Sequence, residues 1–302
     1  MALANGNGEA SHARGIASYL LITFLGSWIL WLGGWSLAVH GFHIPASNLL
    51  FQFFLLPGAF TPAAACFIVR RWITREGFAD AGLRPNFRRA WPYYLFGAYI
   101  LPVLVIGSIL ALSALFKVSQ PDFSLHRALS VLLPGKIPPA VRLTPLLGVA
   151  TLLQLLLVGI PLATFITWGE EFGWRSYLQI RLFARRPLLA AVATGLIWGI
   201  WHYPIIFMGY EHYDNLAVGL VVFPVSTVLL SIIFGWLRFR TGSVWAASAA
   251  HGATNNFGSS VTFLLFLGGP HFIFVAYLGL FAWIPLGILC AWIIATGQLR
   301  VR

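Results

Sequence analysis

Charge is scarce in this chain. Only 9% of its 302 residues are Asp, Glu, Lys or Arg, against roughly a quarter in a soluble domain. There are 8 acids in all, and just 2 of the 19 basic residues are lysines. That poverty excludes a soluble enzyme and a disordered tail. Cysteine is scarcer still: Cys66 and Cys290 both sit inside apolar runs, so neither a disulfide framework nor a paired-cysteine zinc knuckle is available. No internal repeat or low-complexity segment is present. A His-Glu-x-x-His pair and a Gly-x-Ser-x-Gly elbow are both missing, which removes the motifs of zincin metalloproteases and serine hydrolases.

Apolar sequence fills the space. Hydrophobic residues make up 59% of the chain, with a mean hydropathy of +0.83. Apolar runs cover 15–40, 46–69, 91–116, 143–169, 187–209, 216–237, 243–267 and 272–297. A spanning helix needs about 20 such residues, and lipid leaves the backbone no hydrogen-bond partner but itself. The expected fold is all-α: a polytopic bundle of about eight transmembrane helices, forming a single integral-membrane domain over 1–302. The Pro residues at 57, 62, 102, 161, 224 and 285 are expected to kink the helices they fall in. The polar N-terminal stretch does not read as a cleavable signal, because the apolar run behind it is too long.

The net charge of +11 would point to nucleic acid in a soluble protein. Here no basic patch interleaves with aromatics, so no nucleic-acid partner is expected. The basic residues instead fall in alternate connections, fifteen on one side against four on the other. By the positive-inside rule this places both termini in the cytoplasm.

Ionisable residues within spans are costly and mark function. Six acids fall in tails or connections: Glu9, Glu76, Asp80, Asp122, Glu211 and Asp214. The other two, Glu170-Glu171, are adjacent and close the fourth apolar run. Neighbouring carboxylates at the edge of lipid disfavour each other's ionisation, and a carboxylate so tuned suits general acid–base work. Arg175 stands four residues after Glu171, on the same helix face; pairing with it would fix the second carboxylate and free the first. In the fifth run Trp198 precedes His202 by four residues, and Gly195 and Gly199 make a small-residue face. In the seventh, His251 and Asn255 are again four apart, among small residues that leave room for a cavity. Each pattern alone also fits helix packing. Together they put an acid pair and two histidines on three helices able to converge. The remaining histidines lie in tails or connections. One measure speaks against convergence: His202 lies about 22 Å from the start of its helix, but His251 only about 12 Å from the start of its own.

These motifs resemble the CPBP family of intramembrane proteases, also called the CAAX prenyl endopeptidase or Abi family. Glu170-Glu171-x-x-x-Arg175 is similar to the family's first motif, Trp198-x-x-x-His202 to its second with Trp for the usual Phe, and His251-x-x-x-Asn255 to its third. The motif-bearing core is 150–267, helices four to seven. The resemblance implies an endopeptidase acting on a membrane-associated protein or peptide at the lipid bilayer, in a bacterial or archaeal cell membrane. It implies that Glu170 and His202 activate water, that His251 and Asn255 donate to the oxyanion, and that Glu171 and Arg175 form a structural pair beside Trp198. A metal-free site is favoured; a zinc version would use Glu170, His202 and His251. Two other readings stay open on the residues: a non-enzymatic immunity or scaffolding protein of the same fold, and a small transporter using the acid pair as a proton relay.

Overall fold

Each apolar run folds as helix in the computed structural model, which describes residues 2–45, 49–132, 145–213 and 215–299. Lys136, Arg142, Asp214, Arg300 and Arg302, which entered the charge reading, lie outside these. In chain order the helices are α1 (Ala10–Gly41), α2 (Gln52–Ile73), α3 (Phe87–Phe116), α4 (Gly148–Arg181), α5 (Pro187–Trp201), α6 (Leu216–Thr241) and α8 (Phe272–Ala295). Between the last two, α7 starts with Val244–Ala253 and continues through Thr254–Gly258 and Ser259–Phe266. No strand is present among the described residues. The protein is an all-α, multi-pass membrane protein.

Six of these helices are long and apolar enough to cross a membrane: α1, α2, α3, α4, α6 and α8. Eight were expected, and the two that fall short do so for different reasons. α5 has only 15 residues because Pro204 cannot continue it. A proline has no amide N–H to give, so a separate short helix, Tyr203–Phe207, starts there. The exposed carbonyl of Trp201 is taken by Trp28 Nε1 at 3.0 Å. α7 falls short by composition, since its first half is Ala, Ser, His, Thr and Asn rather than Leu and Ile.

Two of the prolines inside the spans, Pro102 and Pro161, follow widened turns, whereas Pro57 and Pro224 sit within α-helix. The π-helical segments Phe96–Ile100 and Leu155–Gly159 stand directly before the turns that hold Pro102 and Pro161. Such a turn accommodates the hydrogen bond that proline cannot make. Two further π-segments, Trp174–Leu178 and Thr254–Gly258, adjoin or include the first and third motifs.

Small residues let the central helices touch. A Cβ on Gly199 would meet Pro224 Cα at 2.6 Å, so α5 and α6 pack backbone to backbone. A Cβ on Gly252 would meet Thr164 N at 2.6 Å, which sets α7 equally close to α4. These approaches bring the motif helices together. At one end of the bundle, Asp80 in the α2–α3 connection receives Arg70 at 2.8 Å and Arg181 at 3.2 Å, and Arg238 donates to its backbone carbonyl at 2.6 Å. The arginine-bearing ends of α2, α4 and α6 are therefore gathered on one side.

Candidate active site

The fourth helix is longer than its apolar run. It continues to Arg181, so Glu170 and Glu171 stand about 16 Å inside its end rather than at it. The sequence past 169 is polar enough to hide this extension, yet every residue from Gly169 to Gln179 is buried by neighbouring helices. Glu170 is buried, and its Oε2 accepts a hydrogen bond from Trp198 Nε1 at 2.8 Å. Glu171 is fully buried. Its Oε2 lies 3.2 Å from Arg175 Nε, the pairing expected from the spacing. The Arg175 guanidinium also lies 4.8 Å from the Trp198 ring centre and 5.4 Å from that of Phe234. Aromatic faces stabilise a cation in such a site.

Glu171 has a second partner that sequence spacing did not reveal. Its Oε1 lies 3.0 Å from His251 Nδ1. A carboxylate only accepts, so Nδ1 carries the proton and the other ring nitrogen holds a lone pair. Asn255 Nδ2 then donates to His251 Nε2 at 3.1 Å. Glu171, His251 and Asn255 thus form one chain across two helices, anchored by Arg175. In the neutral ring with its proton on Nδ1, His251 accepts from Asn255 and orients it.

His202 follows the same logic. Its Nδ1 lies 2.8 Å from the Trp198 carbonyl, which can only accept, so Nδ1 carries a proton and the neutral ring has its lone pair on Nε2. Trp198 thereby touches both Glu170, through its indole, and His202, through its backbone. Its ring centre is 5.1 Å from that of His251. The difference in depth between the two histidines is bridged by this side chain, one helical turn before His202.

Glu170, His202, His251 and Asn255 all line one cavity of about 300 Å³, whose wall also includes apolar residues such as Trp31, Leu55 and Phe223 and polar ones such as Gln52 and Thr167. All the motif residues read from the sequence lie at this cavity or, for Glu171 and Arg175, directly behind it. The residues of the zinc version, Glu170, His202 and His251, all line this cavity, but no group of three or more His, Cys, Asp or Glu placed to hold a metal ion occurs among the described residues.

A second cavity of about 380 Å³ adjoins the first. The two share Gln52, Tyr210, Glu211, Asn255, Ser259 and Leu278 in their walls. It lies toward the end of the bundle away from the arginines, where α4 begins and α7 ends. Glu211 and His212, read as connection residues, prove to line it. The available signal was the run Tyr210-Glu211-His212-Tyr213, polar and aromatic, directly after the proline-stopped helix.

Comparison with known proteins agrees with this arrangement. Residues 151–257 match the family model described as type II CAAX prenyl endopeptidase Rce1-like. That segment contains all three motifs. Over that segment the chain is similar to the CPBP, or CAAX prenyl endopeptidase, family of membrane proteases. Over 236 residues it is 27% identical to a protein named CAAX prenyl protease 2 from the archaeon Methanococcus maripaludis, covering 74% of this chain and 75% of that one.

Proposed function

We propose that this protease hydrolyses a peptide bond of a membrane-associated protein or peptide with a water activated by Glu170 and His202. The observation that carries the reading is that Glu170 and His202, whose Nδ1 is held by the Trp198 carbonyl, line one cavity with Asn255 in its wall. Neither group is tied up by a cation: among the described residues no ion pair includes Glu170. A water between them loses a proton to Glu170 as its oxygen attacks the carbonyl carbon. The same proton then passes to the leaving amide nitrogen, so the carboxylate is regenerated.

Asn255 has two amide protons. One is given to His251, and the second is free for the oxyanion that forms on the carbonyl oxygen. A preorganised donor of this kind is worth about 3 kcal/mol to the transition state. His251 and Glu171 act behind it as positioning residues, with Arg175 neutralising Glu171. We assign these roles to the core formed by α4 to α7. The curated relative's name points to prenylated substrates, and an anchored substrate suits a cavity enclosed by spanning helices.

The test is a survey of protein termini in membranes from cells carrying the wild type or Glu170→Ala at equal abundance. New ends found only with the wild type are the expected result, and they name the substrate. Identical ends in both, with a purified wild type that also leaves those membranes uncut, would overturn the assignment.

A further inference from the structure

The second cavity holds a carboxylate that hydrolysis does not use. Glu211 lines both cavities, at their junction. Among the described residues it takes part in no ion pair and accepts no side-chain hydrogen bond. The chain is strongly basic, and its other described acids in connections, Glu76, Asp80 and Asp122, each have an arginine partner. An ionised carboxylate without a cation in a partly buried wall is costly, so such an acid either takes up a proton or is stabilised by a cation that arrives from outside.

The surrounding wall suits an organic cation. Tyr210, Tyr213 and Phe263 present aromatic rings to the same cavity, and such rings attract an ammonium or guanidinium. A divalent metal is poorly served, because Glu211 is a single carboxylate outside any cluster of metal-binding side chains. The space, about 380 Å³, accommodates a lysine or arginine side chain. Asn255 lies in the wall of both cavities, so a peptide bound across the site leads directly from one to the other.

We propose that Glu211 is a specificity-determining residue that selects substrates carrying a basic side chain a few residues from the cleaved bond. This rests on the hydrolytic reading of the inner cavity, because that reading fixes where the substrate chain lies. The probes are fluorogenic peptides with one shared acyl anchor and one apolar sequence, with Lys, Gln or Glu placed at each position in turn. Wild type is expected to favour Lys over Gln about tenfold in kcat/KM at one position. Glu211→Gln should bring that ratio to about one, and Glu211→Lys should invert it toward Glu. Thermal melting in detergent confirms that each variant is folded.

Binding separates this inference from the protease assignment. Glu170→Gln protein should bind the Lys peptide more tightly than the Gln peptide by the same ratio, and the double variant with Glu211→Gln should not. A Lys preference in binding, with no cleavage by wild type, would keep the cation site and sink the assignment of the inner cavity. The inference is overturned if no position prefers Lys in binding or cleavage, or if the preference survives Glu211→Gln.

Discussion

The acids at the arginine-rich end and the acids of the two cavities are handled in opposite ways. At the arginine end Asp80 meets Arg70 and Arg181, and Glu76 meets Arg181 at 2.8 Å. Every carboxylate there is answered by a cation, and its work is to tie the ends of α2 and α4 together. Around the cavities only Glu171 is answered by a cation, Arg175, with the His251 ring donating to its other oxygen. Glu170 has an indole N–H, and Glu211 has no charged partner among the described residues. An ionised carboxylate with a cation beside it is a poor base and has no room for another cation. The contrast therefore separates acids that hold the fold from acids available for chemistry.

The sharpest break in this comparison is within one residue pair. Glu170→Gln preserves volume and still accepts from Trp198, so the fold should survive while kcat falls by about 10³-fold or more, as for loss of a general base within a catalytic unit. Glu171→Gln should fail differently. It leaves Arg175 as a fully buried, unpaired cation, at a cost of about 3–5 kcal/mol, so its melting temperature should drop together with its activity. Equal melting losses for both variants would erase the distinction between structural and chemical acid.

Asn255→Ala comes next. Loss of one oxyanion donor costs about 10²–10³-fold in kcat, and the effect should fall on kcat with little change in KM. A loss confined to KM would place Asn255 in substrate binding alone.

The sequence already revealed much of this geometry wherever the helix repeat controls it. Glu171 to Arg175, Trp198 to His202 and His251 to Asn255 are all four apart, and each pair meets on one helix face. Contacts between helices were not legible. His251 to Glu171 joins positions 80 apart, and nothing in either local sequence specifies the crossing that Gly252 permits. The length of α4 was hidden for another reason. Hydropathy reads lipid exposure, but the stretch after 169 is covered by protein, so polar residues persist in the helix without marking its end. Glu211 was passed over because a connection was equated with solvent, although this connection folds back as a cavity wall.

Charge at Glu211 provides a finer test, read by pH. Burial pushes its carboxyl up to about 7. The preference for Lys over Gln should therefore be weak at about pH 6, where the carboxyl is protonated, and grow through pH 8. Taking the ratio of two peptides cancels titration of the catalytic groups. The other titratable groups lining this cavity do not imitate the effect: burial pushes Tyr210 up to about 12, raises Tyr213 and lowers His212, and Tyr277 is a further phenol in the same wall, so none of the four changes charge as pH rises through 7. In Glu211→Gln the ratio should be flat with pH. A slope that persists there would assign the titration to another group.

The smallest expected effect lies at the arginine end. Burial opposes ionisation of Asp80, but Arg70 and Arg181 outweigh it and hold the carboxyl below its usual range. A lowered carboxyl contributes stability above its unfolded pKa of about 3.9, and that contribution is lost as pH falls through the folded value. Asp80→Asn keeps a hydrogen-bond acceptor for Arg70, which also donates to the Gly77 and Ser176 carbonyls at 2.6 Å each. The loss should be about 1 kcal/mol near neutral pH, seen as a small drop in melting temperature that disappears in acid. Cleavage by the folded variant should equal that of the wild type, because Asp80 lines neither cavity. A folded Asp80→Asn protein with impaired cleavage would couple the two ends of the bundle and dissolve the division between them.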